Sequence, residues 1–339
     1  MKPTNFAYFL SKYLSGYLAG QQNFSSNTVA SYRDTFKLIL RFFSEEKGLP
    51  AERLTLEMLD RNTITDYLEW LRTSRQNSET TLQQRLTVIR SFFSYLQGEA
   101  PEYLLLSQSV MSYELKKPPA STIIKYLSFE EVKNILAQPN CDTRKGRRDL
   151  ALLTLLYDSG ARVQELVDIR ARDIRLTNPA GVNLFGKGSK WRYVPLMKVT
   201  VDLLKEYVSE NKLFEAHRLD NPLFPNHSGN KMTRAGVAYT IQKYACSTRE
   251  KTPHHILPSV TPHTFRHSKA MHLLQSGVPL IYIRDILGHT DITTTEIYAR
   301  ADSESKRKAL ENAYHSPIPE TRPLWTEDEA IMKMLQELV

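Results

Sequence analysis

Apolar residues return every three or four positions through most of this chain, and the period shortens to two in one region between residues 172 and 196. In SSNTVASYRDTFKLILRFFSEEKG, Val29, Tyr32, Phe36, Ile39 and Phe43 share one helical face behind a Ser/Asn/Thr cluster suited to capping. TTLQQRLTVIRSFFSYLQG repeats the pattern with Leu82, Leu86, Ile89, Phe93 and Leu96, and Gly98 is its expected stop. TITDYLEWLRTSR between them predicts a shorter helix. From Ser25 to about Tyr113 these segments imply a bundle of about four or five helices. Pro118 and Pro119 then follow Lys116 and Lys117, and both prolines oppose further helix. A linker over residues 116–126 therefore separates a helical domain, 1–115, from a second domain, 127–315.

Ser128 with Glu131 three residues on is a capping-box pattern leading into SFEEVKNILAQ. RRDLALLTLLYDSG is apolar enough for a buried helix and ends at Gly160. DIRL, VNLF and WRYVPL, punctuated by Asn178-Pro179-Ala180-Gly181 and Gly186-Lys187-Gly188, predict a three-stranded antiparallel sheet. Helical patterns resume at VTVDLLKEYVSE and continue through HTFRHSKAMHLLQSG, PLIYIRDILG and DITTTEIYAR. Residues 316–339 join a proline-rich tether to LWTEDEAIMKMLQELV, where Thr326 and Glu329 form a capping box and Ile331, Met334, Leu335 and Leu338 make an apolar stripe. A stripe on a stiff tether has to bury itself, either on its own domain or on another protomer. The expected fold class is mainly α with a small three-stranded antiparallel β-sheet, in two domains.

Composition narrows the partners. The chain has 339 residues, 41% of them hydrophobic, enough for two domains with separate cores. Lys and Arg total 45 against 37 Asp and Glu, a net charge of +8 that favours polyanions. Cys141 and Cys246 stand alone, which suggests neither a disulfide framework nor a zinc site and makes a reducing cytoplasm the simplest home. No signal peptide or membrane span is expected. Arg33, Lys37 and Arg41 repeat every four residues on one helical face, a solvated stripe or a phosphate-binding one.

Six residues in the second half, Arg162, Lys187, His263, Arg266, His289 and Tyr298, are what a metal-free phosphoryl transfer requires. Such a reaction needs an in-line nucleophile, an acid for the leaving oxygen and positive charge around the equatorial oxygens. Arginine suits the charge role because its planar fork donates two parallel hydrogen bonds and never deprotonates, which assigns Arg162 and Arg266. His263 precedes Arg266 by three residues in HTFR, so one helical face aims both at one phosphate. Tyr298 is the nucleophile; with an ordinary pKa of about 10 it needs a base, and His263 is the candidate. A helix from Asp291 to Ala299 carries Tyr298 about two turns past the turn holding His289. Glu165, three residues after Arg162 in ARVQEL, is placed to hold an arginine by a charge-assisted bond.

These segments, SGARVQEL, LFGKGSKWRYVPL, PSVTPHTFRHSKA and ILGHTDITTTEIYAR, resemble the tyrosine recombinases, the integrase family of Xer resolvases and phage and transposon integrases. The resemblance runs from about Ser128 to Tyr314 and is at pattern level over the first domain. Phe265 stands where Leu is common in the family, and Ala161 precedes Arg162, without loss of a functional group. It implies a helical DNA-clamping domain, Lys187 as the acid for the 5'-oxygen, a covalent 3'-phosphotyrosine, and no metal or other cofactor. It implies as partners a double-stranded DNA with a pseudo-palindromic site and further copies of the chain. These form a dimer on one site and a tetramer across two, linked by the terminal helix. Arg33, Lys37, Arg85, Arg90, Lys116 and Lys117 are the candidate DNA-backbone contacts.

Competing patterns are weaker. His263, His267 and His272 have near-metalloprotease spacing, but the glutamate base is missing and Arg266 would repel a dication. GVNLFGKG nearly fits a phosphate loop, but Gly188 replaces the Ser or Thr and a strand follows where a helix should. A non-catalytic DNA-binding protein on the same fold and a monomeric relaxing topoisomerase are the rival functions.

Overall fold

The computed structural model describes residues 3–22, 24–115, 124–186, 188, 190–251, 257–301 and 329–337. The chain divides into two compact units, residues 1–120 and 121–339. It is mainly helical, with one small antiparallel sheet.

The first unit is a bundle of α1 (Asn5–Lys12), α2 (Ser26–Glu46), α3 (Arg61–Thr73), α4 (Glu79–Glu99) and α5 (Leu104–Met111). Ser25 and Ser78 cap α2 and α4 by accepting the backbone N–H of Thr28 and Thr81. Phe36, Ile39 and Phe43 of α2 are buried, as are Leu82, Leu86, Ile89, Phe93 and Leu96 of α4, which is the face their spacing predicted. Two features differ from the pattern. Helix begins at Asn5, well before Ser25, and α1 runs on as a π-helical stretch, Tyr13–Gln21. Tyr13 and Leu18, both buried, are five apart, and the wider π turn brings residues at that spacing onto one face. Gly98 also lies inside α4, which ends one residue later at Glu99, where Ala100 leaves the helical region ahead of Pro101.

In the second unit, α6 (Phe129–Leu136) starts at the expected capping box, with Ser128 Oγ accepting from Glu131 N and Glu131 Oε2 accepting from Ser128 N. Helix α7 (Arg144–Ser159) is the buried one: Ala151, Leu152, Leu153, Leu155 and Leu156 are all at most 1% exposed. After α8 (Val163–Asp168), strands β1 (Ile174–Arg175), β2 (Gly181–Gly186) and β3 (Lys190–Pro195) pair in the order β1-β2-β3, with Val182 opposite Val194 and Leu184 opposite Arg192. Helices α9 (Lys198–Glu210) and α10 (Arg234–Lys251) follow, and Val201, Leu204, Val237 and Ile241 join the core that α7 and the sheet share. Helices α11 (Pro262–Gln275), α12 (Leu280–Leu287) and α13 (Thr293–Ala301) enclose a smaller core of Ala270, Met271, Ile283, Leu287 and Tyr298. Helix α14 (Glu329–Gln336) carries the apolar stripe on its surface, with Met334 61% and Leu335 40% exposed. The linker lysines Lys116 and Lys117, the tether, Thr326 and Leu338 lie outside the described residues.

Candidate active site

Two helix ends make the framework of the site. Helix α7 stops at Gly160 and α12 at Gly288, both left-handed, with φ of +57° and +64°. A β-carbon at Gly160 would stand 2.9 Å from Leu287 Cδ2, and one at Gly288 would stand 2.8 Å from Arg192 Nη1, so both turns require glycine. The last carbonyls of a helix lack partners along their own backbone and carry the negative end of its dipole. At α12 three consecutive carbonyls each accept from a different arginine. Arg192 Nε donates to Ile286 O at 2.9 Å, Arg266 Nη2 to Leu287 O at 2.6 Å, and Arg162 Nη2 to Gly288 O at 3.2 Å. Arg266 also donates through Nη1 to Gly160 O at 2.7 Å, which spans the two helix ends.

Glu165, 4% exposed, binds two of the three arginines. Arg192 grips it in a fork, Nη1 to Oε1 at 2.9 Å and Nη2 to Oε2 at 2.7 Å, while Arg162 Nη1 donates to Oε1 at 2.8 Å. The same carboxylate caps α8, because Oε2 accepts from Arg162 N at 2.7 Å. Burial pushes the Glu165 carboxyl up, but the bonds from Arg192 and Arg162 outweigh it and hold the group below its usual range. Arg266 is only 3% exposed, and burial, reinforced by Arg162, pulls its guanidinium down to about 10, so it stays charged at neutral pH.

Tyr298 lies against this cluster at 1% exposure. Its hydroxyl is 3.0 Å from His267 Nδ1. Burial raises the phenol above its ordinary pKa, and Arg266 and Arg162 act in the opposite sense. Residues 290–292 fold back, so the His289 ring lies parallel to the Tyr298 ring, with centroids 6.5 Å apart and planes 10° apart. His289 Nδ1 pairs with Thr295 Oγ1 at 2.8 Å. Burial and then Arg266, Arg162 and Arg192 bring its pKa to about 4, so the imidazole is neutral. His263 stands exposed on the first turn of α11, its ring centroid 6.4 Å from that of His267.

Of the six expected catalytic residues, Arg162, Arg266, His289 and Tyr298 come together, His263 borders them, and Lys187, between β2 and β3 in sequence, lies outside the described residues. An open recess beside them is lined by Gly186, Lys190, Arg192, Gly288, His289 and Thr290. Two of the three histidines of the metal-like spacing have separate partners: His267 meets Tyr298, and His272 Nδ1 meets the Tyr157 hydroxyl at 2.8 Å.

Arg192 and His267 were not picked out from the sequence. Arg192 reads there as one charge on a strand, and its role depends on contacts 27 and 94 residues away. His267 carried a signal, the HTFRH spacing that puts it one turn after His263.

In the first unit, Arg33 and Lys37 are exposed on α2, Lys37 within 3.6 Å of Asp34. Arg85 and Arg90 are half-buried and bonded inside the bundle. Arg85 Nη1 donates to Thr35 Oγ1 and Ser31 O, and Arg90 Nη2 donates to Tyr113 O. A second basic recess, between α7 and α10, is lined by Arg144, Lys145, Arg148, His227 and Lys243.

A buried tyrosine near an arginine pair, with a histidine in hydrogen-bond reach, has the groups that phosphoryl transfer to a protein nucleophile calls on. Residues 125–305 match the model of the Phage integrase family, and residues 11–100 match that of the Phage integrase N-terminal SAM-like domain. The chain is 32% identical over 337 residues to the putative integrase/recombinase y4rC of Sinorhizobium fredii, 99% of each being covered. It is 31% identical over 301 residues to the tyrosine recombinase XerD of Staphylococcus haemolyticus, covering 87% of this chain and 94% of that one. The chain belongs to the phage integrase family, the tyrosine recombinases. Its fold is similar to that of XerH site-specific recombinase bound to palindromic difH substrate, at TM-score 0.68 and 21% identity, covering 86% of this chain and 80% of that one. The Tn1549 transposon integrase in complex with a circular intermediate DNA is similar at TM-score 0.68 and 15% identity, covering 92% of this chain and 100% of that one. Among the described residues, no helix is long and apolar enough to cross a membrane.

Proposed function

We propose that this recombinase breaks and rejoins DNA strands through a covalent 3'-phosphotyrosyl bond to Tyr298. The observation that carries the reading is the burial of the phenol within electrostatic reach of Arg266 and Arg162 and alongside the His289 ring. With their carbonyl and carboxylate bonds made, Arg162 and Arg266 each keep an N–H on both terminal nitrogens for phosphate oxygens. Two guanidiniums locked before substrate arrives stabilise the charge that spreads over the equatorial oxygens without reorganising during the reaction. His263 and His289 add donors, and Lys187, which falls between β2 and β3 in sequence, protonates the departing 5'-oxygen. The bond energy kept in the phosphotyrosine drives rejoining, so neither a metal nor a nucleotide is consumed.

The substrate is duplex DNA with a pseudo-palindromic site, bound by two copies and paired with a second site in a tetramer. Arg33, Lys37 and the linker lysines Lys116 and Lys117 supply phosphate contacts in the first unit. The recess of Arg144, Arg148 and Lys243 supplies them in the second. Helix α14, with Met334 and Leu335 exposed, joins the copies. The reducing cytoplasm is the setting.

The test is a denaturing gel on a duplex selected from a random-sequence library by binding to the full chain. Tyr298→Phe retains the duplex in a native gel but forms no covalent adduct, whereas the unaltered chain does. An adduct with Tyr298→Phe refutes the assignment of the nucleophile.

A further inference from the structure

The base that serves the nucleophile can be sought by asking where the proton of Tyr298 can go. At 1% exposure the phenol is shielded from bulk water, so the first acceptor for its proton is a side chain in contact with it. Its hydroxyl meets His267 Nδ1 at 3.0 Å, within the range of a direct transfer. The other imidazoles are worse placed. His289 has committed Nδ1 to Thr295 and lies parallel to the phenol ring. His263 is exposed at the start of α11, one turn beyond His267. We propose that His267, and not His263, is the catalytic residue that takes the phenolic proton of Tyr298 during strand cleavage and returns it on rejoining. The proposal rests on the reading of Tyr298 as the nucleophile.

The step balances. The Tyr298 hydroxyl proton moves to His267 Nδ1 as the phenolic oxygen forms its bond to phosphorus. The bond from phosphorus to the 5'-oxygen breaks with its electron pair on that oxygen, which takes a proton from Lys187. Rejoining reverses both transfers, and His267 reprotonates the leaving phenolic oxygen. A base must be unprotonated before the step. The groups facing His267 are His263 and Arg266 on its own helix, Tyr298 on α13 and His289 on the turn ahead of α13. Burial first, then His263 and Arg266, lowers the His267 pKa below its ordinary value, which leaves the ring neutral at pH 7. Neutral Nδ1 accepts from the phenol when the ring proton sits on Nε2.

The alternative is that His267 only latches the tyrosine, and the two roles predict opposite outcomes. The experiment uses the full chain and the selected duplex, nicked so that cleavage is trapped, with oxygen or bridging sulfur as the 5'-leaving atom. Sulfur needs no acid. Adduct formation is followed in single turnover from pH 5.5 to 9 for the unaltered chain, Lys187→Ala, His263→Asn and His267→Asn, with DNA affinity and thermal midpoint measured alongside. Asn at 267 keeps an acceptor for the phenol but cannot take its proton. Its cleavage rate falls by on the order of 100-fold or more at pH 7 on both leaving atoms, and it climbs about tenfold per pH unit as hydroxide substitutes for the missing base. Sulfur rescues Lys187→Ala and not His267→Asn. His263→Asn, at whatever rate, keeps the pH profile of the unaltered chain.

A His267→Asn rate within about threefold of the unaltered chain, or above it as a released latch requires, overturns the proposal. A second measurement needs no variant at 267. Nitrogen-detected spectra of the histidines should find Nδ1 of His267 unprotonated at pH 7 and shifted by Tyr298→Phe; a proton on Nδ1 overturns the proposal even if the variant is unstable. Absence of an adduct with the unaltered chain is a distinct result, which removes the nucleophile reading itself.

Discussion

Replacing Glu165 by Gln perturbs the point on which the arginine cluster depends. The carboxylate is 4% exposed and accepts three guanidinium bonds and one backbone N–H. Gln keeps the volume and one acceptor oxygen, but its NH2 group must face an arginine N–H, so at least one side of the Arg192 fork is lost and two buried guanidiniums go unneutralised. Breaking a buried ion pair by removing one partner costs about 3–5 kcal/mol. Desolvation is incomplete here, because the Arg162 and Arg192 side chains keep 28% and 12% of their exposure, so about 3 kcal/mol is the working value. For a unit of this size that corresponds to a fall in Tm of about 6–12 °C. The pH dependence has a definite sign. The folded pKa of Glu165 lies below its unfolded value, so the stabilisation is complete above the unfolded carboxyl range of about 4.3 and is lost as pH falls through the folded value. Thermal unfolding of the full chain between pH 3 and 8 reads both effects. Glu165→Gln should unfold at lower temperature at pH 7, and the gap should close in acid. A double-mutant cycle with Arg192→Gln should recover a coupling of about 1.5 kcal/mol or more. A Glu165→Gln chain within about 1 kcal/mol of the unaltered one at pH 7, with no coupling, would refute the view that this ion triplet organises the site.

Two further outcomes are expected. His289, with its pKa brought down to about 4 by burial and then by Arg266, Arg162 and Arg192, should titrate below pH 5 in proton NMR. Because its folded pKa lies below the unfolded value of about 6.5, its contribution to stability is whole above that pH and fades between there and about 4, and a midpoint near 6.5 would contradict the geometry. In the first unit, Arg33→Ala and Lys37→Ala should each reduce the slope of log affinity against log salt by about one while leaving Tm nearly unchanged. Arg85→Ala, which empties a half-buried position bonded to Thr35 and Ser31, should lower Tm by several degrees; an unchanged Tm there, or an unchanged slope at Arg33 and Lys37, would reverse the division of roles.

Local patterns carried the fold. The faces of α2 and α4, the capping box at Ser128, the sheet and the buried α7 all depend on residues within one or two turns of each other, and each was legible. Two local departures escaped the pattern: Leu18 and Tyr13 lie on a π turn that no α-helical period predicts, and α4 ends at Glu99 and not at Gly98. Where a longer contact decides, the pattern also fell short. Arg85 and Arg90 look like surface charges in sequence, yet each bonds to a group 23 to 54 residues distant. For the site, chemistry selected residues able to act on a phosphate, and four of them meet. It could not select Arg192, because a guanidinium whose task is to hold a carboxylate and a carbonyl resembles any other cation on a basic chain. Nor could it rank His263 against His267, since one helical turn separates them and only the approach of α13 decides which imidazole the phenol meets.

The arginine socket at the end of α12 is made of main-chain oxygens, and this governs how the site tolerates sequence change. Exchanging the side chain at position 286 leaves its acceptor in place, so drift there is invisible to the chemistry. Position 288 is different: a β-carbon strains the left-handed turn and presses on Arg192, while the turn itself supplies the carbonyl that Arg162 holds. The most vulnerable point of the charge cluster is therefore a residue with no functional group of its own.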